Sequence, residues 1–134
     1  MLPEPGSPED WLRYARSDLA VAGQVRLDDV LAETLCFHAQ QAVEKSIKAV
    51  LVSVGVEFPK THNIEHLVDM LPAAVRRCPE LQAVGWLTVY ATILRYPGAQ
   101  GTASVEKLRE AVRLAEAVLA WASAIVGVSP TGGI

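Results

Sequence analysis

The apolar positions of this chain fall into a helical rhythm from its first turn. Trp11, Leu12, Ala15, Leu19, Ala22 and Val25 recur mostly at intervals of three and four, the spacing that gathers side chains on one face of an α-helix. Ser7-Pro8-Glu9-Asp10 precedes them, offering a capping hydroxyl, a proline for the first helical position and two acids at the positive end of the helix dipole. A first helix is therefore predicted from Pro8 to about Leu27, with Arg13, Arg16 and Asp18 off its apolar stripe. Asp28 or Asp29 caps a second, longer helix from about Val30 to Val54, which Gly55 closes. A linker with Pro59 follows. Thr61 or Asn63 caps a short helix from Ile64 to Leu71, stopped by Pro72, and Ala73 to Cys78 adds at most a turn or two. Pro79 opens a fourth helix carrying Leu81, Val84, Leu87, Tyr90, Ala91 and Leu94, which Pro97-Gly98 ends. Thr102 caps a fifth. Its apolar residues Val105, Leu108, Val112, Ala115, Leu119, Ala122 and Val126 alternate gaps of three and four without a miss, so one narrow stripe is expected to face a neighbouring helix.

Only the valines between Val50 and Val56 suggest a short strand, and the caps on either side favour helix. The predicted fold is all-α: an antiparallel up-and-down four-helix bundle with one additional short helix. Residues 1–7 form a loose lead-in, 8–126 a single domain and 127–134 a frayed tail.

Composition narrows the class. The chain has 134 residues, 51% of them apolar and 20% charged, enough to fill one core and too apolar for disorder. Two cysteines, Cys36 and Cys78, are too few for a disulfide scaffold and read as reduced thiols. Twelve basic against 15 acidic residues give a net charge of −3, which excludes a general nucleic-acid coat but leaves room for a local basic pocket. No basic start leads into an apolar run, and the apolar stretch Ala117 to Val128 falls well short of the roughly 20 residues of a bilayer span. A cytoplasmic protein without a membrane partner is expected.

Candidate chemistry concentrates on the second helix. His38, Gln41, Lys45 and Lys48 follow one another at gaps of three, four and three, forming a polar stripe opposite Leu35, Ala39, Ala42, Val43, Ile47 and Val50. Glu44 and Lys48 are spaced for an ion pair, with Gln40 beside them. Taken singly, each lysine reads as a solvated surface residue and His38 as a histidine bonded at the edge of a core. Together, a histidine, an amide and two cations on one ridge suit contacts to phosphate or base. At the end of the fourth helix, Arg95 serves either the helix dipole or an anion in a cleft, with Tyr96 beside it. Thr61-His62-Asn63-Ile64-Glu65-His66 offers two histidines four apart, but no third ligand follows, so capping and packing are preferred to zinc. No phosphate loop, nucleophile elbow or other standard catalytic set occurs, and neither a metal nor a cofactor is expected.

Four segments, in order, are Ala15-Arg-Ser-Asp-Leu-Ala-Val-Ala22, Phe37-His-Ala-Gln-Gln-Ala-Val-Glu-Lys-Ser-Ile-Lys-Ala49, Pro59-Lys-Thr-His-Asn-Ile-Glu-His-Leu67 and Arg95-Tyr-Pro97. This series resembles the signature segments of the HEPN domain family (higher eukaryotes and prokaryotes nucleotide-binding), over about Pro8 to Ala124. The resemblance implies an antiparallel helical bundle, a homodimer, and pairing with a small nucleotidyltransferase, sometimes as toxin and antitoxin. Many such domains are metal-independent ribonucleases that use an arginine followed a few residues later by a histidine. Here Arg95 matches the arginine, but Tyr-Pro-Gly-Ala-Gln-Gly-Thr follows and the histidine is missing. Gln100 donates hydrogen bonds but cannot shuttle a proton at neutral pH. The resemblance thus favours a non-catalytic module that binds a nucleotide or substrate through Arg95, Tyr96, His38, Gln41, Lys45 and Lys48, with Asp18 orienting Arg95. Two alternatives are a ribonuclease in which His38 or His62 replaces the missing residue, and a purely structural partner subunit. The latter would use the fifth-helix stripe and the patch Trp86-Leu87-Val89-Tyr90.

Overall fold

The computed structural model describes residues 6–93 and 103–127. These residues form α1 (Pro8–Ala22), α2 (Ala32–Ser53), α3 (Ile64–Met70), α4 (Tyr90–Ile93) and α5 (Val105–Gly127), with short 3₁₀ segments at Ala73–Val75, Pro79–Gln82 and Gly85–Val89 and no strand among them. Leu94 to Thr102, which include Arg95 and Tyr96, lie outside the described residues.

The bundle is all-helical and built around α2. Alanine, valine and leucine positions from Leu35 to Leu51 along α2 are fully enclosed, with α1 and α5 packed together against it and the segment from α3 to α4 covering the remaining side. Chain directions follow from contacts. Trp11, Tyr14 and Asp18 of α1 meet Lys48, Lys45 and His38 of α2, so these two helices are antiparallel. Glu80 lies near Arg113 of α5 and Tyr90 near Cys36 of α2, so the stretch between them runs back along α2. Residues from both α1's first turns and α5's last (Glu9, Leu12, Ser123, Val126) line one small cavity, which makes α5 antiparallel to α1.

Caps explain most boundaries. Ser7 and Asp10 form a reciprocal capping box at α1. Gly55 takes φ 78° after α2, while the Val56 and Gly55 amides bond back to the carbonyls of Leu51 and Val52, the hydrogen-bonding pattern of a glycine-stopped helix. Asn63 accepts from the His66 amide and starts α3.

Several expectations are corrected. First, α1 stops at Ala22 instead of running to Leu27, because the chain turns at Gly23 and Val25 adopts a left-handed φ of 61°, which no helix accommodates. Second, Asp29 also takes a left-handed φ, 63°, so neither aspartate caps α2; Leu31 occupies the cap position without a side-chain bond. Ser104, whose hydroxyl accepts from the Lys107 amide, caps α5.

The third correction is the largest. Over the described residues, the expected fourth helix is a chain of 3₁₀ turns leading into an α-helical turn, α4. Its predicted apolar residues from Leu81 to Ala91 are nonetheless all buried. Leu81, Val84, Leu87 and Tyr90 are spaced by three throughout, the period of a 3₁₀ helix rather than an α-helix. The break centres on Gly85, against which the Glu65 side chain packs so closely that a Cβ there would stand 2.6 Å from its carboxylate. The Thr88 hydroxyl accepts from the Ile64 amide and ties the same stretch to α3. α5 also buries a broader face than the predicted stripe: Ala111, Leu114 and Val118 are enclosed, whereas Leu119 is only half-buried.

Candidate functional site

The polar stripe of α2 exists, but most of it faces inward. Lys45 and Lys48 are both buried in the seam between α2 and its neighbours. A buried ammonium needs a counter-charge and full hydrogen bonding to offset its lost hydration. Each lysine is paired with a carboxylate and lies over aromatic rings. Lys45 Nζ donates to Asp18 Oδ2 at 2.6 Å and lies 5.8 Å from the Tyr14 ring centroid. Lys48 Nζ donates to Glu44 Oε2 at 2.9 Å and lies 5.3 and 5.5 Å from the rings of Trp11 and Phe58, where the aromatic faces attract the cation further. The Trp11 indole N–H, fully enclosed beneath Lys48, has no partner among the described residues.

Each carboxylate also takes a histidine. His38 Nδ1 lies 2.8 Å from Asp18 Oδ1, and His62 Nδ1 lies 3.0 Å from Glu44 Oε1. The imidazoles are the exposed members of these groups, at 30% and 52% of their side-chain surface, against 13% for Asp18 and 3% for Glu44. Glutamines complete the second group. Gln40 donates to Glu44 Oε1 at 2.9 Å and to the His62 carbonyl at 3.4 Å, and Gln41 donates to Gln40 Oε1 at 2.7 Å and to Glu44 Oε1 at 3.4 Å.

The structure thus gathers His38 and Lys45 around Asp18, and Gln41 and Lys48 around Glu44 with Gln40 and His62. Sequence reasoning gave His62 to capping or packing, or in the ribonuclease alternative to the place of the missing histidine, and gave Asp18 to Arg95; among the described residues, Asp18's partners are Lys45 and His38. A usable signal was present. Trp11, Tyr14 and Asp18 step along α1 by three and four, the rhythm that Lys48, Lys45 and Gln41 follow in the opposite direction along α2, as two antiparallel helices require to register their polar residues.

Other candidates recede. Cys36 and Cys78 are buried free thiols. Burial pushes the Cys36 thiol up to about 11, aided by nearby Glu33 against the opposing pull of Lys107 and a hydrogen bond with Tyr90, which disfavours the thiolate that a nucleophile or metal ligand needs. Burial likewise raises Cys78, with Glu80 beside it. No group of three or more metal-ligating side chains occurs among the described residues. Leu87 and Tyr90 of the supposed interface patch belong to the core. No helix among the described residues is long and apolar enough to cross a membrane.

With this arrangement in view, comparison with known proteins is informative. The family model of the HEPN domain matches residues 8–125. The chain belongs to the HEPN domain family. The HEPN bundle described above is similar to two solved structures. One is a protein designated TT1696 from Thermus thermophilus, 28% identical, covering 88% of this chain and 97% of that one with a TM-score of 0.72. The other is described as an archaeal HEPN homologue, 27% identical, covering 90% and 98% with a TM-score of 0.66. No curated protein matches.

Proposed function

We propose that this HEPN domain is a non-catalytic module that binds a nucleotide, or the substrate of a partner nucleotidyltransferase, as a homodimer. A toxin–antitoxin pair is the setting that fits such a partnership. The observation carrying this reading is the α2 ridge, where His38, Gln41 and His62 reach the surface on a scaffold held by buried ion pairs. Arg95 and Tyr96 complete the proposed site, with Arg95 as the anion contact. Lys45 and Lys48 enter it as supports, since Asp18 and Glu44 already occupy their ammonium groups. Cleavage is disfavoured because no histidine follows Arg95 and a cation alone supplies no proton transfer.

Calorimetric titration of adenosine monophosphate into the wild-type chain and Arg95→Ala tests the reading. Binding that weakens at least tenfold in the variant, at unchanged melting temperature, supports it. Equal binding removes Arg95 from the site, and absence of wild-type binding to any nucleoside monophosphate ends the proposal. Co-purification with a nucleotidyltransferase tests the partnership separately.

A second reading draws on the same geometry. An imidazole held at Nδ1 by a carboxylate is the arrangement that orients a general base, and both His38 and His62 have it. If either substitutes for the missing histidine, labelled RNA is cut with or without chelator and the cutting is lost in His38→Ala or His62→Ala. Cleavage indifferent to both substitutions, or none at all, eliminates it.

A further inference from the structure

A carboxylate has no proton to give, so it fixes the direction of every hydrogen bond it receives. Asp18 accepts from Lys45 on one oxygen and faces His38 Nδ1 with the other. Nδ1 therefore carries the proton, and Nε2 of the neutral ring is a bare lone pair. Glu44 imposes the same tautomer on His62.

Glu44 also fixes two amides. The Gln40 amino group points at Glu44 Oε1 and at the His62 carbonyl, neither of which can donate back. The Gln40 oxygen is thereby left for Gln41, whose amino group meets it at 2.7 Å. Gln41 Oε1 then remains on the outer side, without a partner among the described residues. Polarity set at the half-buried Asp18 and the buried Glu44 thus emerges as three acceptors: His38 Nε2, Gln41 Oε1 and His62 Nε2.

These acceptors are neighbours. His38 and Gln41 are one helical turn apart on α2, and the Gln41 amide and the His62 ring both reach the same Glu44 oxygen. The donors that a phosphate would need here, Lys45 and Lys48, are turned inward onto Asp18 and Glu44. A phosphate at this edge would set oxygen against lone pair.

Resting on the nucleotide-binding reading, we infer that the outer edge of the ridge selects the hydrogen-bond donors of a nucleoside, its exocyclic amino and ribose hydroxyl groups, and does not take its phosphate. Gln41 and His62 are then specificity-determining residues, and Glu44 is a positioning residue acting through both.

Long-range proton–nitrogen spectra of the free protein at pH 8 read the tautomers directly. A proton on Nδ1 and a bare Nε2 are expected for both His38 and His62; a neutral ring protonated on Nε2 at either position overturns the inference. Titration with adenosine is expected to move both Nε2 resonances, whereas inorganic phosphate leaves them in place. N6,N6-dimethyladenosine, which lacks the amino hydrogens, and the Gln41→Ala and His62→Ala variants should each weaken binding about fivefold, the loss of one neutral hydrogen bond. Glu44→Gln should release the His62 tautomer preference, a change that a merely structural role would not produce. Adenosine monophosphate binding without adenosine binding, or phosphate moving the two resonances, overturns the inference and leaves the nucleotide reading standing. Failure of both adenosine and its monophosphate to bind overturns the two together.

Discussion

Asp18 and Glu44 are each held between a lysine and a histidine, yet the two carboxylates join different parts of the molecule. Asp18 belongs to α1 and reaches across to Lys45 and His38 on α2. Glu44 shares α2 with its lysine and, among the described residues, gains only His62 from elsewhere. The first group is therefore a bolt between two helices. The second is a local device that orients a residue just before α3. Similar chemistry serves packing in one place and display in the other, and substitutions should separate the two roles.

Asp18→Ala should produce the largest effect, a loss of about 3 kcal/mol, since it leaves the Lys45 ammonium in the seam without a counter-charge. Chemical denaturation measures it; a loss below about 1 kcal/mol would show that water reaches Lys45 and that the bolt is weak. Glu44→Gln should cost about 2 kcal/mol, because a neutral amide keeps some of the hydrogen bonds while Lys48 retains its two aromatic faces. If it costs more than Asp18→Ala, the local device is the stronger structural element and the contrast is reversed.

Alkali probes the α2 end shared by Cys36 and Tyr90. The folded chain holds the Cys36 proton more tightly than the unfolded chain does, its thiol lifted from 9.0 to about 11, and Tyr90 is also raised, first by burial. The associated stability is complete below about pH 9 and is lost as pH climbs through 11. Melting temperatures should be flat from pH 7 to 9 and decline above, and Cys36 should resist alkylation in the native state. Rapid modification at pH 8 would contradict its enclosure. Smallest of all, His62→Ala should change stability by under about 0.5 kcal/mol, as expected for a half-exposed ring at the outer edge of its group.

Much of this was legible beforehand, for identifiable reasons. α2 and α5 declare themselves by long periodic stretches, and Ser7, Gly55 and Asn63 act at their positions as their chemistry dictates. The fourth element misled because an apolar spacing of three fits one face of an α-helix nearly as well as a 3₁₀ turn, and the deciding contact, Glu65 on Gly85, is distant in sequence. At the ridge, helical spacing located His38, Gln41, Lys45 and Lys48 but could not say which way the lysines turn. That direction is set by Asp18, 27 residues from Lys45, and by Phe58 and Trp11 over Lys48. Periodicity reports which residues share a face; only tertiary partners report whether that face is spent or free.

The central claim is that the ridge lysines are committed to carboxylates inside the bundle and are not held in reserve for a ligand. A double-mutant cycle of Asp18→Asn and Lys45→Met, read by denaturant unfolding, tests it most directly. The predicted coupling is about 2 kcal/mol, with the double variant more stable than either single one, because no unpaired charge remains in the seam. Strict additivity of the two substitutions would contradict the pairing and return Lys45 to the list of free cations.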